Sequence, residues 1–111
     1  MTMDVSILAA ILDSVKDPIL FADTEHVVRY MNKAAIGHYE GGEKLMGSSL
    51  LDCHNDQSRK VMREVLAAMV SEGIDERLIS EEDEQWIYMR AVRDDGGSVL
   101  GYYERYEPII K

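Results

Sequence analysis

The chain has few of the residues that cross-link or interrupt a polypeptide. It contains one cysteine, Cys53, and two prolines among 111 residues. A single cysteine excludes an internal disulfide and is typical of a reducing compartment. No apolar run approaches the roughly 20 residues of a membrane-spanning helix, and the first residues lack the basic start of a signal peptide. We therefore expect a cytoplasmic protein that has no membrane partner.

Several motifs that carry chemistry are also missing. No glycine-rich phosphate loop follows a predicted strand, and there are no paired cysteines and no histidine pair at helical spacing. Basic residues are scarce, because 12 Lys and Arg stand against 21 Asp and Glu, for a net charge of -9. Such a charge repels nucleic-acid backbones. These absences predict that the chain is not an enzyme, holds no metal and has no nucleic-acid partner.

The residues that are present suit a single domain. Asp4 can cap a short apolar helix, which the dipeptide Asp17-Pro18 ends. Two predicted strands, a glycine-rich segment, one long helix and three further strands follow. We therefore expect one α+β domain over residues 1–111, with an N-terminal flanking helix at 4–16 and a core at 17–109. The core is predicted to be a five-stranded antiparallel sheet with helices on one face.

Four segments resemble the PAS domain family when they are taken together. Residues 11–23 resemble the entry into its first strand, and residues 28–35 contain its Asn-x-Ala-Ala turn. Residues 45–50 contain a Gly-x-Ser-Leu segment, and residues 92–97 contain an Arg-Asp-x-x-Gly hairpin. The order and spacing match over nearly the whole chain. The resemblance implies a sensory or signalling module that binds a small ligand or a partner and mediates dimerisation.

A subset of the PAS family shares further residues with this chain. These domains carry Cys-His just before the long helix, then a serine, and a Gly-x-x-Glu start to the last strand. The matching residues are Cys53, His54, Ser58, Gly101 and Glu104. Such domains occur alone or beside other domains, which implies a downstream signalling domain or partner protein.

Four residues are predicted to shape the backbone. Asn32 can form hydrogen bonds where the second strand turns into a helical segment. Gly47 allows a backbone conformation that other residues resist. Asp94 and Gly96 belong to a hairpin turn between the last two strands.

The resemblance places a ligand between the long helix and the inner face of the sheet, and His54 lies at the edge of that region. Its imidazole could ligate haem, although a histidine bonded near a helix start is the simpler interpretation. No histidine occurs from residue 57 to 72, where haem-binding PAS domains usually carry their ligand. No cofactor is required by the sequence, and haem is an alternative. Cys53, next to a helix N-terminus, leaves redox sensing open, although a small buried residue is the simpler expectation.

Glu104 has two possible orientations in the last strand. Alternation places Tyr102, Glu104 and Tyr106 on one face. An inward Glu104 needs a partner, which His54, Ser58 or a ligand could supply. An outward Glu104 would pair with a surface arginine, and the family comparison favours the inward orientation. A small cone-shaped α/β enzyme with His54 and Glu104 as an acid–base pair is a further alternative.

Two sets of candidate residues follow from these arguments. The predicted dimer contact joins the apolar face of the N-terminal helix to the outer face of the sheet, at Leu8, Ile11, Leu12, Trp86 and Tyr88. Packing of that helix on its own domain is the alternative to a homodimer. The candidate ligand pocket consists of His54, Cys53, Ser58, Glu104, Met89, Ile87 and Met62.

Overall fold

The structure is a computed structural model that describes residues 4–82 and 84–109. The order of elements agrees with the predicted order. The helices are α1 (Val5–Ser14), α2 (Lys33–His38) and α3 (Asp56–Ser71), with 3₁₀ turns at Gly42–Leu45 and Leu50–Cys53. The strands are β1 (Leu20–Asp23), β2 (Val28–Met31), β3 (Glu76–Glu81), β4 (Gln85–Arg93) and β5 (Val99–Pro108).

The strands form one five-stranded antiparallel sheet in the order β2-β1-β5-β4-β3. β5 is the central strand, and it pairs with both β1 and β4. The helical segments between β2 and β3 cross one face, here called the inner face. The predicted α+β class is therefore confirmed. Consecutive side chains of β5 point to opposite faces, so every second one lies on the inner face and the others lie on the outer face.

The core lies between α3 and the inner face of the sheet. Apolar residues recur along α3 at three- and four-residue spacing, and that stripe faces the strands. Burial of one such side chain stabilises the fold by about 1.5–3 kcal/mol. The buried residues that form this layer include Met62, Val65, Leu66 and Met69 on α3, and Leu20, Ala22, Met89 and Tyr102 on the sheet.

The ends of the helices follow local chemistry. Asn55, and not Asp56, is the N-cap of α3, because its side chain accepts a hydrogen bond from Ser58 N at 2.9 Å. α1 is shorter than predicted and ends at Ser14. Val15 is already extended, with ψ of 128°, ahead of the restrictive Asp17-Pro18 step.

Asn32 joins three elements at the end of β2. Its side chain is fully buried, and its Oδ1 accepts hydrogen bonds from Ile19 N and Ala35 N, both at 2.9 Å. Its Nδ2 donates to Leu12 O at 2.9 Å and to Asp17 O at 3.1 Å. One side chain therefore satisfies backbone groups before β1, at the start of α2 and at the end of α1.

The other predicted backbone residues lie in turns. Gly47 has φ of 81°, and its N–H donates to Val28 O. Asp94 Oδ1 accepts hydrogen bonds from Gly96 N and Ser98 N, both at 2.9 Å, in the β4–β5 hairpin. A Cβ added at Gly101 would lie 2.0 Å from Ala22 O, so only glycine allows β5 to approach β1 this closely.

α1 covers little of its own domain. It buries none of its residues completely, and Val5, Ile7 and Ile11 are 78, 52 and 50% exposed. Its last turn contacts the domain, where Leu12 borders a groove of about 540 Å³ with outer-face residues that include Phe21 and Tyr103. In the part of the chain that the structure describes, no helix is both long and apolar enough to cross a membrane.

Candidate functional site

Two cavities lie between the helical segments and the inner face. We call the first, of about 440 Å³, the α3 chamber; its lining is His54, Gln57, Ser58, Val61, Met62, Ile79, Ser80, Glu82, Ile87 and Glu104. We call the second, of about 370 Å³, the loop chamber; its lining is Tyr39, Glu40, Leu45, Leu50, Cys53, His54 and Glu104. Both volumes fall in the range of small-molecule sites. His54 and Glu104 line both chambers and therefore stand at their junction.

Glu104 points inward and is 7% exposed. Its Oε2 accepts hydrogen bonds from Tyr39 Oη at 3.2 Å and from Tyr106 Oη at 3.0 Å, and the two hydroxyls also contact each other. The expected partners, His54 and Ser58, form no hydrogen bond with this carboxylate among the described residues. The alternative outward orientation is wrong. Arg105, one residue along, points outward and pairs with Glu76 at 2.8 Å.

The two tyrosines donate hydrogen bonds to the carboxylate. Burial raises the pKa of Tyr39, and the negative charge of Glu104 raises it further. The same two causes raise the pKa of Tyr106. Both phenols are therefore protonated at neutral pH, and each can donate one hydrogen bond. Strand alternation predicts that Tyr106 lies on the same face of β5 as Glu104. Tyr39 comes from the end of α2, and no local sequence signal predicts that it contacts Glu104.

His54 follows the Leu50–Cys53 turn and is half-buried at the junction of the chambers. Its carbonyl accepts a hydrogen bond from Arg59 Nε at 2.9 Å, which fixes the backbone. Within the described ranges, no hydrogen bond joins its imidazole to Glu104. The two groups of the suggested acid–base pair therefore line the same chambers without a direct hydrogen bond between them.

The remaining predicted pocket residues divide between the lining and the core. Ser58, Met62 and Ile87 line the α3 chamber. Met89 is completely buried and belongs to the core, not to the lining of either chamber. The expectation of a buried Cys53 was wrong, because its side chain is exposed at the edge of the loop chamber. The turn that contains it buries Leu50 instead.

A second polar pair lies on the inner face and was not predicted. His26 and Tyr102 are both buried, and His26 Nδ1 lies 2.7 Å from Tyr102 Oη. Burial lowers the pKa of His26, and the charge of Arg63 lowers it further. His26 adopts φ of 65° after the Asp23–Glu25 turn. A histidine in a polar turn gives no sequence signal that it is buried.

The predicted outer-face contact residues are partly covered by their own domain. Trp86 and Tyr88 are half-buried on β4. The Arg105 guanidinium lies 4.4 Å from the centre of the Tyr88 ring. Searched over residues 4–82 and 84–109, the structure contains no group of three or more His, Cys, Asp or Glu side chains that could hold a metal ion.

Comparison with known proteins identifies the family. The model of the PAS domain family matches residues 8–109, and the chain belongs to this family. The predicted resemblance is confirmed. PAS domains are typically sensory and signalling modules, not enzymes. Comparison with curated proteins gave no match.

Solved structures share the fold at low sequence identity. A C-terminal domain from Streptococcus mutans is 18% identical with a TM-score of 0.78, over 96% of this chain and 86% of that one. A PAS domain from Colwellia psychrerythraea is 19% identical with a TM-score of 0.63, over 95% and 96%. The PAS domain of Bordetella pertussis BvgS is 15% identical with a TM-score of 0.62, over 96% and 87%. At these identities the likeness establishes the fold alone.

Proposed function

We propose that this PAS domain senses a small molecule that binds in the chambers on either side of Glu104. The observation that supports the proposal is a buried carboxylate at the junction of two cavities, with one of its oxygens held by two tyrosine hydroxyls. Cavities of a few hundred Å³ that combine apolar walls with convergent polar groups are typical of small-molecule sites.

The position of Glu104 favours binding over stability. It lies mid-strand in the central strand, directly opposite Met89 of β4. Removing a carboxylate from water is costly, and an apolar residue at such a position would commonly give equal or greater stability. A charged residue that costs stability is well placed to recognise a ligand.

Hydrogen bonds at the two ends of α2 connect the chambers with α1. Tyr39 bonds Glu104 and directly follows α2, whose N-cap is Asn32. Asn32 in turn donates a hydrogen bond to Leu12 O in α1. A ligand that displaces Tyr39 would therefore alter contacts at both ends of α2. We propose α1 as the element that passes the signal to a downstream partner or domain.

We also propose that the exposed face of α1 pairs with a second copy of the domain. Leu8 and Ile11 are 45 and 50% exposed, beside Val5 and Ile7 on the same short helix. Apolar surface of this kind favours an interface. Sedimentation velocity tests this part: the wild type should dimerise at micromolar concentration, whereas Ile11→Glu should be monomeric. A monomeric wild type at high micromolar concentration would refute dimerisation.

Binding in the chambers can be tested by ¹⁵N NMR with a library of small polar and amphipathic fragments. We expect hits to shift the amide signals of Ser58, Met62 and Ile87, while those of Tyr88 and Val92 on the outer face stay unchanged. The variant Val61→Trp should fill the α3 chamber and abolish these shifts. Val70→Trp is the matched control, because Val70 is a 64% exposed residue of the same helix. Fragments that shift only outer-face signals, or none, would refute the proposal.

The lining does not fit haem, although a Vibrio cholerae receptor described as a dual PAS-heme oxygen sensor shares the fold at 16% identity, with a TM-score of 0.55 over 84% of this chain and 94% of that one. Haem carries two anionic propionates, which need basic partners or open water. The chambers present Glu40, Glu82 and Glu104 and no lysine or arginine among the described residues. We expect purified protein to take up no haem and to show no Soret band.

A further inference from the structure

We propose that the ligand recognised at Glu104 is a small organic cation with one apolar arm, such as a primary ammonium compound. This inference rests on the proposed function, because it names the chemical class of molecule that the chambers accept.

The described lining of the two chambers is acidic. Glu104 stands at the junction, Glu82 borders the α3 chamber and Glu40 borders the loop chamber. Neither chamber has a lysine or arginine among its described lining residues, and His54 is the one side chain there that could gain a positive charge. The net charge of -9 reinforces the negative potential, because fields of one sign are focused in clefts. The chambers therefore attract cations and disfavour anions.

The two oxygens of the Glu104 carboxylate differ in their hydrogen bonds. Both tyrosine hydroxyls bond Oε2, and no described donor bonds Oε1. Among the described residues, every side-chain oxygen or nitrogen that is fully buried from solvent has a hydrogen-bond partner. Oε1 is therefore open to the chambers that Glu104 lines, although the residue as a whole is 7% exposed. A carboxylate oxygen accepts hydrogen bonds only, so its missing partner is a donor.

The two tyrosines that hold Glu104 have no further proton to donate to Oε1. Each tyrosine hydroxyl carries one proton, and both are used on the Oε2 side of the carboxylate. An ammonium group brings up to three donors and a full positive charge, and hydrogen bonds between charged groups are the stronger class. With no described side chain donating to Oε1, a ligand ammonium group is well suited to fill this place.

The surroundings of Glu104 distinguish an organic cation from a metal ion. No group of three or more His, Cys, Asp or Glu side chains in the described part of the chain lies close enough together to hold a metal ion, so a bare divalent ion would be left with too few protein ligands. By contrast, Leu45 and Leu50 line the loop chamber, and Val61 and Met62 line the α3 chamber. Apolar walls beside one buried carboxylate suit an ammonium group that carries a hydrocarbon or aromatic arm.

Three probes of nearly equal size test the charge preference: benzylammonium, benzyl alcohol and benzoate. Their dissociation constants would be measured by ¹⁵N NMR titration of the full chain at neutral pH and low salt. We expect benzylammonium to bind about ten- to a hundredfold more tightly than benzyl alcohol, because its positive charge adds an attraction to the carboxylate that the neutral hydroxyl lacks. Benzoate should bind more weakly than benzyl alcohol.

Two variants separate the charge from other effects. Glu104→Gln keeps the shape but removes the charge, so benzylammonium should fall to the affinity of benzyl alcohol. Glu107→Gln is the matched control, because Glu107 lies on the same strand and pairs with Arg105 on the outer surface; its preference should equal that of the wild type. If Glu104→Gln does not fold, the ranking of the three probes on the wild type still decides.

The outcomes separate this inference from the proposed function. Benzoate or benzyl alcohol binding in the chambers as tightly as benzylammonium would overturn the cation inference and leave the chambers as a ligand site. An unchanged preference in Glu104→Gln would also overturn it. If none of the probes shifts a chamber amide at millimolar concentration, the cation inference falls; if the fragment library also gives no chamber shifts, the proposed function falls with it.

Discussion

Two polar clusters occupy the inner face of β5, and they differ in whether they border the chambers. Tyr102 forms a hydrogen bond with His26, and both side chains are buried and line neither chamber. Two residues further along the same face, Glu104 bonds Tyr39 and Tyr106 while it borders both chambers. The His26–Tyr102 pair therefore lies outside both chambers, whereas Glu104 presents its Oε1 to them.

This difference suggests separate roles for neighbouring residues of one strand. A buried, hydrogen-bonded polar pair that lies outside the chambers fixes the local structure. A buried carboxylate with one open oxygen costs stability until a donor arrives. We therefore assign the His26–Tyr102 pair to folding and the Tyr39–Glu104–Tyr106 cluster to binding.

The largest expected effect comes from Gly101, which sets the position of both clusters. In Gly101→Ala the new Cβ would meet Ala22 O at 2.0 Å, so β5 and β1 must separate. We expect a loss of about 3 kcal/mol or more in the free energy of unfolding, measured by urea denaturation. Gly37→Ala is the control, because nothing lies within 4 Å of its Cβ and the residue is helical, so it should be neutral or stabilising.

The next largest effect on stability is expected at Tyr102, and its comparison with Tyr106 distinguishes the two clusters. Tyr102→Phe leaves His26 Nδ1 buried without its partner and should cost about 1–3 kcal/mol of unfolding free energy. The affinity for benzylammonium should not change. Tyr106→Phe should cost less stability, because water in the chambers can replace the lost donor to Glu104. If Tyr106→Phe destabilises the fold more than Tyr102→Phe does, the assignment of roles is reversed.

The His26–Tyr102 pair also predicts a dependence of stability on pH. The pKa of His26 is lowered in the folded state from its ordinary value of 6.5. Below that value the unfolded chain binds a proton that folded His26 resists. Stability from this group is therefore complete above pH 6.5 and falls as the pH drops towards the folded pKa, by up to about 1.4 kcal/mol per pH unit.

Urea denaturation between neutral and mildly acidic pH measures this dependence. His26→Gln should remove it, and His54→Gln should keep it, because His54 is half-buried at the junction and makes no comparable bond. An equal slope in wild type and His26→Gln would show that the pair does not stay neutral in the folded protein.

The smallest effect on stability is expected at Glu104. Glu104→Gln removes a buried charge but keeps an acceptor for the tyrosine hydroxyls, so unfolding free energy should change by less than about 1 kcal/mol in either direction. Thermal or urea denaturation without ligand measures it. A loss as large as that of Tyr102→Phe would place Glu104 among the residues that hold the fold.

Much of the fold could be predicted from the sequence because it depends on local patterns. The apolar stripe from Val61 to Met69 predicts α3, and the 94–97 turn predicts the β4–β5 hairpin. Strand alternation also groups Tyr102, Glu104 and Tyr106 on one face. The exact end of α1 was missed, because a helix end depends on tertiary contacts such as the bond from Asn32 to Leu12 O.

The site was less predictable because its contacts are distant in the sequence. Tyr39 lies 65 residues from Glu104, and His26 lies 76 residues from Tyr102. Periodicity shows which face a residue occupies but not which residue of another element it meets. Cys53 was misjudged for a related reason, since a 3₁₀ turn of four residues buries one side and the sequence does not indicate which.

Native mass spectrometry of wild type and Glu104→Gln, purified side by side under mild conditions and incubated with a cell metabolite extract, tests the ligand site most directly. Wild type should carry a non-covalent adduct with the mass of a small amine, and Glu104→Gln should carry clearly less of it. Identical spectra, with both proteins unliganded or both carrying the same adduct, would contradict a binding role for Glu104.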